Sequence, residues 1–207
     1  DGDGNRVQKA DSSGSTGYYF DGRNVVMEKD GIGNRSIYTI GEKIISKKAN
    51  GQKQYYLYDS IGDTVAITDI NGAVLQKYSY EAFGKVRPIK VPPYTETGNK
   101  QQFVGGLGVQ KDDDSGLYYM RARYYEPGIG MFIGRDPAKI ESYYLYCSNN
   151  SINRIDPSGL DYVDWNVSLG VVSLGRQEDL KRSILRMDQV RSSNSSNRVL
   201  QAGDGEA

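Results

Sequence analysis

The apolar positions of this chain fall in short alternating runs, each closed by an acid, a glycine or an asparagine. Thr64 to Thr68 forms one run and Ala73 to Tyr78 the next, with Asn71-Gly72 between them. Asn-Gly between two such runs predicts a β-hairpin, because both residues accept the positive φ of a tight turn. A related order recurs: Phe20-Asp21-Gly22 leads to Val25-Val26, Tyr58-Asp59 with Gly62 leads to Val65, and Tyr80-Glu81 with Gly84 leads to Val86. Asp1-Gly2-Asp3-Gly4 leads to Val7 in the same way. The acids sit at 1, 21, 59 and 81, with gaps of 20, 38 and 22. That spacing gives a unit of about 20 residues, with a degenerate copy around Ile40-Gly41-Glu42-Lys43-Ile44. One hairpin cannot bury its apolar face, whereas stacked neighbours bury it together. Tyr58, Tyr80, Tyr119 and Tyr125 are expected to pack between neighbouring hairpins.

The pattern breaks over residues 87–101, where Pro88, Pro92 and Pro93 stand among polar residues and predict a loop. Strands are expected to resume at Gln102-Phe103-Val104 and from Gly116 to Tyr125. Past Leu160 the character changes. Leu180, Ile184 and Met187 form a helical stripe within residues 177–190, followed by a Ser/Asn run over 192–197 that predicts a flexible linker. The expected organisation is repeats over 1–86, a distinct closing region over 87–160 and a variable tail over 161–207.

Composition sharpens this picture. There are 17 Tyr against 4 Phe and 1 Trp, and 25 Gly. Tyrosine suits a sheet in which the ring packs while the hydroxyl reaches a polar partner. Lys plus Arg equals Asp plus Glu at 26 each, which gives no reason to expect a nucleic-acid partner. No run comes near the roughly 18 apolar residues of a membrane-spanning helix. The chain begins at Asp1 without an initiator Met, as expected of a fragment. It has no His, which removes Ser-His-Asp, Cys-His and zincin chemistry from within it. The one cysteine, Cys147, is expected to pack as a small apolar residue. Asp1, Asp3 and Asn5 mimic the opening of a calcium loop, but Arg6 stands where its Gly belongs and Ser12 where its Glu belongs. Neither a cofactor site nor a metal site is expected. Asp112-Asp113-Asp114 is expected to be a solvated hairpin tip.

The segment Gly116-Leu117-Tyr118-Tyr119-Met120-Arg121-Ala122-Arg123-Tyr124-Tyr125, with Pro127, Gly130, Phe132 and Asp136-Pro137 following, closely resembles the Rhs repeat-associated core. So does Tyr144-Leu145-Tyr146, with Asn149-Asn150, Asn153 and Asp156-Pro157-Ser158-Gly159-Leu160. The upstream units resemble the YD repeats of the same family. The resemblance implies an all-β, cocoon-like shell of YD-repeat hairpins closed by the Rhs core, with a short, partly helical variable tail. It implies a secreted or cell-surface polymorphic-toxin protein whose partner is its own C-terminal payload. An immunity protein or a secretion-system component would be further partners, and similar shells without a toxin, as in teneurins, serve adhesion through protein or glycan contacts.

In some family members the core cuts its own chain after the Leu of the terminal Asp-Pro-x-Gly-Leu. By resemblance the catalytic pair here is Asp136 and Asp156, Arg123 matches a family arginine, and the cut would fall between Leu160 and Asp161. The residue types suit such autoproteolysis. Of two close carboxylates, one stays charged and accepts a proton from water, while the other holds a proton and donates to the carbonyl oxygen. Arg123 is able to orient a carboxylate. Asp-Pro is also a common turn starter, so both aspartates read equally as hairpin corners with Arg123 a surface partner. The chain departs from the self-cleaving pattern at Lys139, where the family usually has Gly, and in a slightly short interval between the two aspartates.

Overall fold

A computed structural model describes residues 5–22, 24–87, 89, 97–137 and 143–164. The calcium-like opening at Asp1 and Asp3, the proline segment, Lys139 and the predicted tail helix therefore lie outside the described residues.

The alternating runs form one antiparallel sheet of eight strands in sequence order. These are β1 (Gln8–Asp11), β2 (Gly14–Asp21), β3 (Asn24–Asp30), β4 (Arg35–Ile40), β5 (Ile44–Ala49), β6 (Gln52–Tyr58), β7 (Thr64–Thr68) and β8 (Val74–Lys77). Every connection is a hairpin, as the turn signals require. Asp30, Asp59 and Asp69 build the same turn, each accepting the N–H of the second and fourth residues on. Gly33, Gly62 and Gly72 occupy the left-handed position of these turns, and Gly84 does so after Glu81, where a side chain would cost conformational strain.

A short hairpin, β9 (Ser79–Tyr80) with β10 (Val86–Arg87), leads toward the proline segment. A second sheet follows, β11 (Gln110–Lys111), β12 (Tyr118–Met120), β13 (Arg123–Glu126) and β14 (Met131–Phe132), and then the pair β15 (Arg154–Ile155) and β16 (Val163–Asp164). The fold is all-β. None of the described residues forms a helix long and apolar enough to cross a membrane.

Two expectations about elements change. Gln102-Phe103-Val104 forms no strand, because Val104 takes a left-handed conformation at φ 50° and opens a short 3-10 turn, Gly105–Leu107. The run from Gly116 to Tyr125 is not one strand but the hairpin β12–β13, turned by Arg121-Ala122 with Arg121 at φ 54°.

The repeat is expressed on the inner face of the large sheet. Tyr18, Tyr38, Tyr56 and Tyr78 are all buried, while the alternate residues Tyr19, Ile37 and Leu57 face outward and are about half exposed. Tyr58 and Tyr80 are half-buried and stack on Tyr56 and Tyr78 respectively.

The stretch 97–111 crosses this inner face and satisfies the hydroxyls of Tyr38, Tyr56 and Tyr78. Tyr56 donates to Asn99, Gln101 donates to the Tyr38 oxygen, and Asn99 donates to that of Tyr78. Gln110 reaches Glu28. A second core gathers around Phe103, whose ring centre lies 6.2 Å from that of Tyr80, 5.8 Å from Tyr118, 6.1 Å from Tyr125 and 5.8 Å from Tyr146. Gly84 makes this approach possible, since a Cβ there would run into the Phe103 ring.

Asp112 departs from the solvated reading of its acidic run. It is buried and paired with Arg6 at 3.1 Å and Lys9 at 3.3 Å. Arg6 also stacks over Tyr119, 4.1 Å from the ring centre, which ties the chain's first described residues to the second sheet.

Candidate functional site

The β12–β13 hairpin is a cradle for the loop 156–160. Arg121 donates to the Pro157 carbonyl and Arg123 to that of Gly159, while the Ala122 N–H reaches the Ser158 oxygen at 3.2 Å. Three consecutive residues of one turn thus grip three consecutive carbonyls. Gly159 sits at φ 68°, and a Cβ there would collide with the Met120 carbonyl. Only glycine lets the loop lie this close to the hairpin.

Arg123 lies at the centre of the site. Its guanidinium covers the Phe132 ring at 3.6 Å, and its Nη1 donates to the Tyr143 carbonyl at 3.1 Å. Its Nη2 is 3.1 Å from Asp136 and 3.6 Å from Asp156. The side chains of Arg123, Asp136 and Asp156 are 4%, 4% and 3% exposed, so this is a buried cluster with one cation between two carboxylates. That placement corrects the reading of Arg123 as a surface partner. Burial lowers the Arg123 pKa, and the two aspartates oppose that shift.

Asp156 organises the loop as well as facing the cation. Its Oδ1 accepts the Ser158 N–H at 3.1 Å, the Ser158 hydroxyl at 2.8 Å, the Gly159 N–H at 2.8 Å and the Leu160 N–H at 3.2 Å. Burial pushes its carboxyl up to about 6, against the opposing pull of Ser158 and Arg123. Such a group changes charge near neutrality, the range in which a carboxyl can act as an acid.

The sequence-chosen residues therefore meet: Arg123, Asp136 and Asp156 converge, and Leu160 hangs from Asp156. Leu160 is buried and Asp161 half-buried. Cys147 is buried behind the site, and burial raises its thiol pKa far above the usual range. Sequence reasoning missed Arg121, Ser158 and Phe132. Arg121 carried little signal of its own, because the turn that sets both arginines beside one loop has no Gly or Asn in it. Ser158 two residues after an aspartate is a common turn arrangement.

No protein-family model matches the chain. It is 37% identical over 169 residues to the tRNA3(Ser)-specific nuclease WapA of Bacillus spizizenii, a match covering 75% of this chain and 7% of that protein. It is 28% identical over 125 residues to the toxin subunit YenC2 of Yersinia entomophaga, covering 59% of this chain and 12% of that one. The chain thus spans a small fraction of the length of these two relatives. Among solved structures, a Photorhabdus luminescens Tc holotoxin pore containing TccC3 superposes with a TM-score of 0.59 at 21% identity, over 77% of this chain and 8% of that one. That likeness shows the fold, and the sequence matches support kinship with Rhs-type toxin proteins.

Proposed function

We propose that this chain, kin to Rhs-type toxins, is the C-terminal part of a secreted or surface YD-repeat shell. Its Rhs core closes the shell around a variable payload that begins at Asp161, and it severs that payload by cutting between Leu160 and Asp161. The observation that carries this reading is the pair of buried carboxylates sharing Arg123 beside a loop held at three consecutive residues. An acid and a base of this kind can hydrolyse a peptide without His. Asp136, in the shorter ion pair, is assigned as the charged base that takes a proton from water. Asp156, with its raised pKa, is assigned as the acid. Holding the loop on Asp156, with Asp136 across the shared Arg123, is the kind of positioning that gives ordinary carboxylates their power.

Mass spectrometry of the full-length parent protein tests the proposal. A product ending at Leu160 is expected from the wild type, and an uncut chain from Asp136→Asn and from Asp156→Asn. A wild-type chain that stays uncut would overturn the cutting. The four donors on Asp156 favour a second reading for that outcome: a loop cap in a core that closes the shell without cutting.

A further inference from the structure

Once water has added and its proton has passed to Asp136, the departing nitrogen still needs a proton donor placed at that atom. An amide nitrogen does not leave as an anion, so general-acid help at that atom is required. Ser158 is in position to give it. Its hydroxyl donates to Asp156 Oδ1 at 2.8 Å and lies 3.4 Å from the Asp161 nitrogen, with the Leu160 N–H also on its oxygen at 3.2 Å. Ser158 is 4% exposed, so bulk water is a poor competitor. The motif leaves this position open, written x in Asp-Pro-x-Gly-Leu, so nothing in the resemblance assigns it a role.

We infer that Ser158 is a catalytic residue that relays a proton from Asp156 to the Asp161 nitrogen as the Leu160–Asp161 bond breaks. This rests on the self-cleavage reading above. In the intact chain the Asp161 N–H points at the Ser158 oxygen. Once water adds to the Leu160 carbonyl carbon, the nitrogen loses its amide conjugation and becomes pyramidal and basic. Inversion then turns its lone pair toward the hydroxyl, which serves as donor as readily as acceptor.

The step balances. The water oxygen bonds to the Leu160 carbon and its proton goes to Asp136. Asp156 lends its proton to the carbonyl oxygen as water adds and takes it back as the carbonyl re-forms. The carbon–nitrogen bond breaks as the nitrogen takes the Ser158 hydroxyl proton, and the re-protonated Asp156 replaces that proton on Oγ. The products are a carboxyl on Leu160 and an amine on Asp161, with one proton moved from Asp156 to Asp136. A single turnover needs no reset.

The test uses the full-length parent protein with Ser158→Ala and Ser158→Thr. The alanine variant is expected to cut at least about 100-fold more slowly, and the threonine variant, which keeps the hydroxyl, to restore cutting. Loss of a purely positional contact would give the same two results, so a further readout is needed. Purified uncut Ser158→Ala is incubated in water enriched in oxygen-18, with Asp136→Asn as the control. If only the proton to nitrogen is missing, water still adds and falls back, and the Leu160 carbonyl gains label while the chain stays whole. Asp136→Asn should gain none. Wild-type cutting by Ser158→Ala, or an uncut Ser158→Ala that takes up no label, would overturn the relay while the self-cleavage reading stands. An uncut wild type would remove both.

Discussion

Arg123→Met removes one buried cation while keeping most of the apolar stem that covers Phe132. Asp136 and Asp156 would lose the charge between them, and the carbonyls of Gly159 and Tyr143 would lose a donor. Removing one member of a buried ion pair costs about 3–5 kcal/mol. The cost depends on pH, and its sign follows from Asp156. The folded carboxyl, at about 6, binds its proton more tightly than an unfolded aspartate at about 3.9. Its protonated form therefore favours folding at low pH, and that contribution is lost as pH rises through about 6. Without Arg123 the carboxyl shifts further up, since burial is no longer opposed by the cation. The deficit against wild type is thus largest near pH 8 and shrinks toward pH 5, where the variant neutralises the carboxyl instead. Hydrogen exchange at the Gly159 and Leu160 amides, both donors to Asp156, reads this in the full-length protein. A loss of about 3 kcal/mol is roughly two decades of protection factor. Unchanged protection at pH 8, or equal loss at both pH values, would refute the view that the shared cation holds the loop.

Three further outcomes follow from the same geometry. Gly159→Ala should prevent cutting while the sheet stays folded, because its Cβ meets the Met120 carbonyl. Circular dichroism with mass spectrometry checks it, and normal cutting would contradict the close approach. Phe103→Ala should lower stability by about 3–5 kcal/mol, read by urea unfolding of the parent, since four aromatic rings lose their common neighbour. A loss below about 1 kcal/mol would mean that the site collapses freely. The cutting rate should fall as pH rises above about 6, where Asp156 gives up its proton. A rate that climbs through that range would exchange the roles of the two aspartates.

The large sheet was legible because its information is local. Asp59 and Gly62, or Asp69 and Gly72, sit within one turn, and their bonds close within that turn. What crosses the sheet was not legible. Gln102-Phe103-Val104 has strand-like residues, yet Val104 is held left-handed and its N–H is taken by Asp63 at 2.7 Å, from 41 positions away. The hairpin at Arg121-Ala122 carries no Gly or Asn to announce it, because tertiary contacts to Pro157 and Leu107 stabilise Arg121 in place of local propensity. For the site, the resemblance chose Arg123, Asp136 and Asp156, but only the fold shows that one guanidinium nitrogen serves both acids.

The segment 97–111 that crosses the tyrosine face also sets a timetable. Hairpins between sequence neighbours close in about 1–10 μs, so β1 to β8 can pair as soon as they emerge from the ribosome. The bond from Arg6 to Gln110 spans 104 residues, and at about 5–20 residues per second synthesis of that stretch takes roughly 5–20 s. Within that time Tyr38, Tyr56 and Tyr78 are made but uncovered for shorter spans, since their partners follow by 63, 43 and 21 positions, a sticky surface awaiting its strap. A chaperone that shields aromatic faces has its window there. The loop 156–160 is translated later still, so the hairpin that grips it is complete before Leu160 arrives, and the turn docks into a finished cradle.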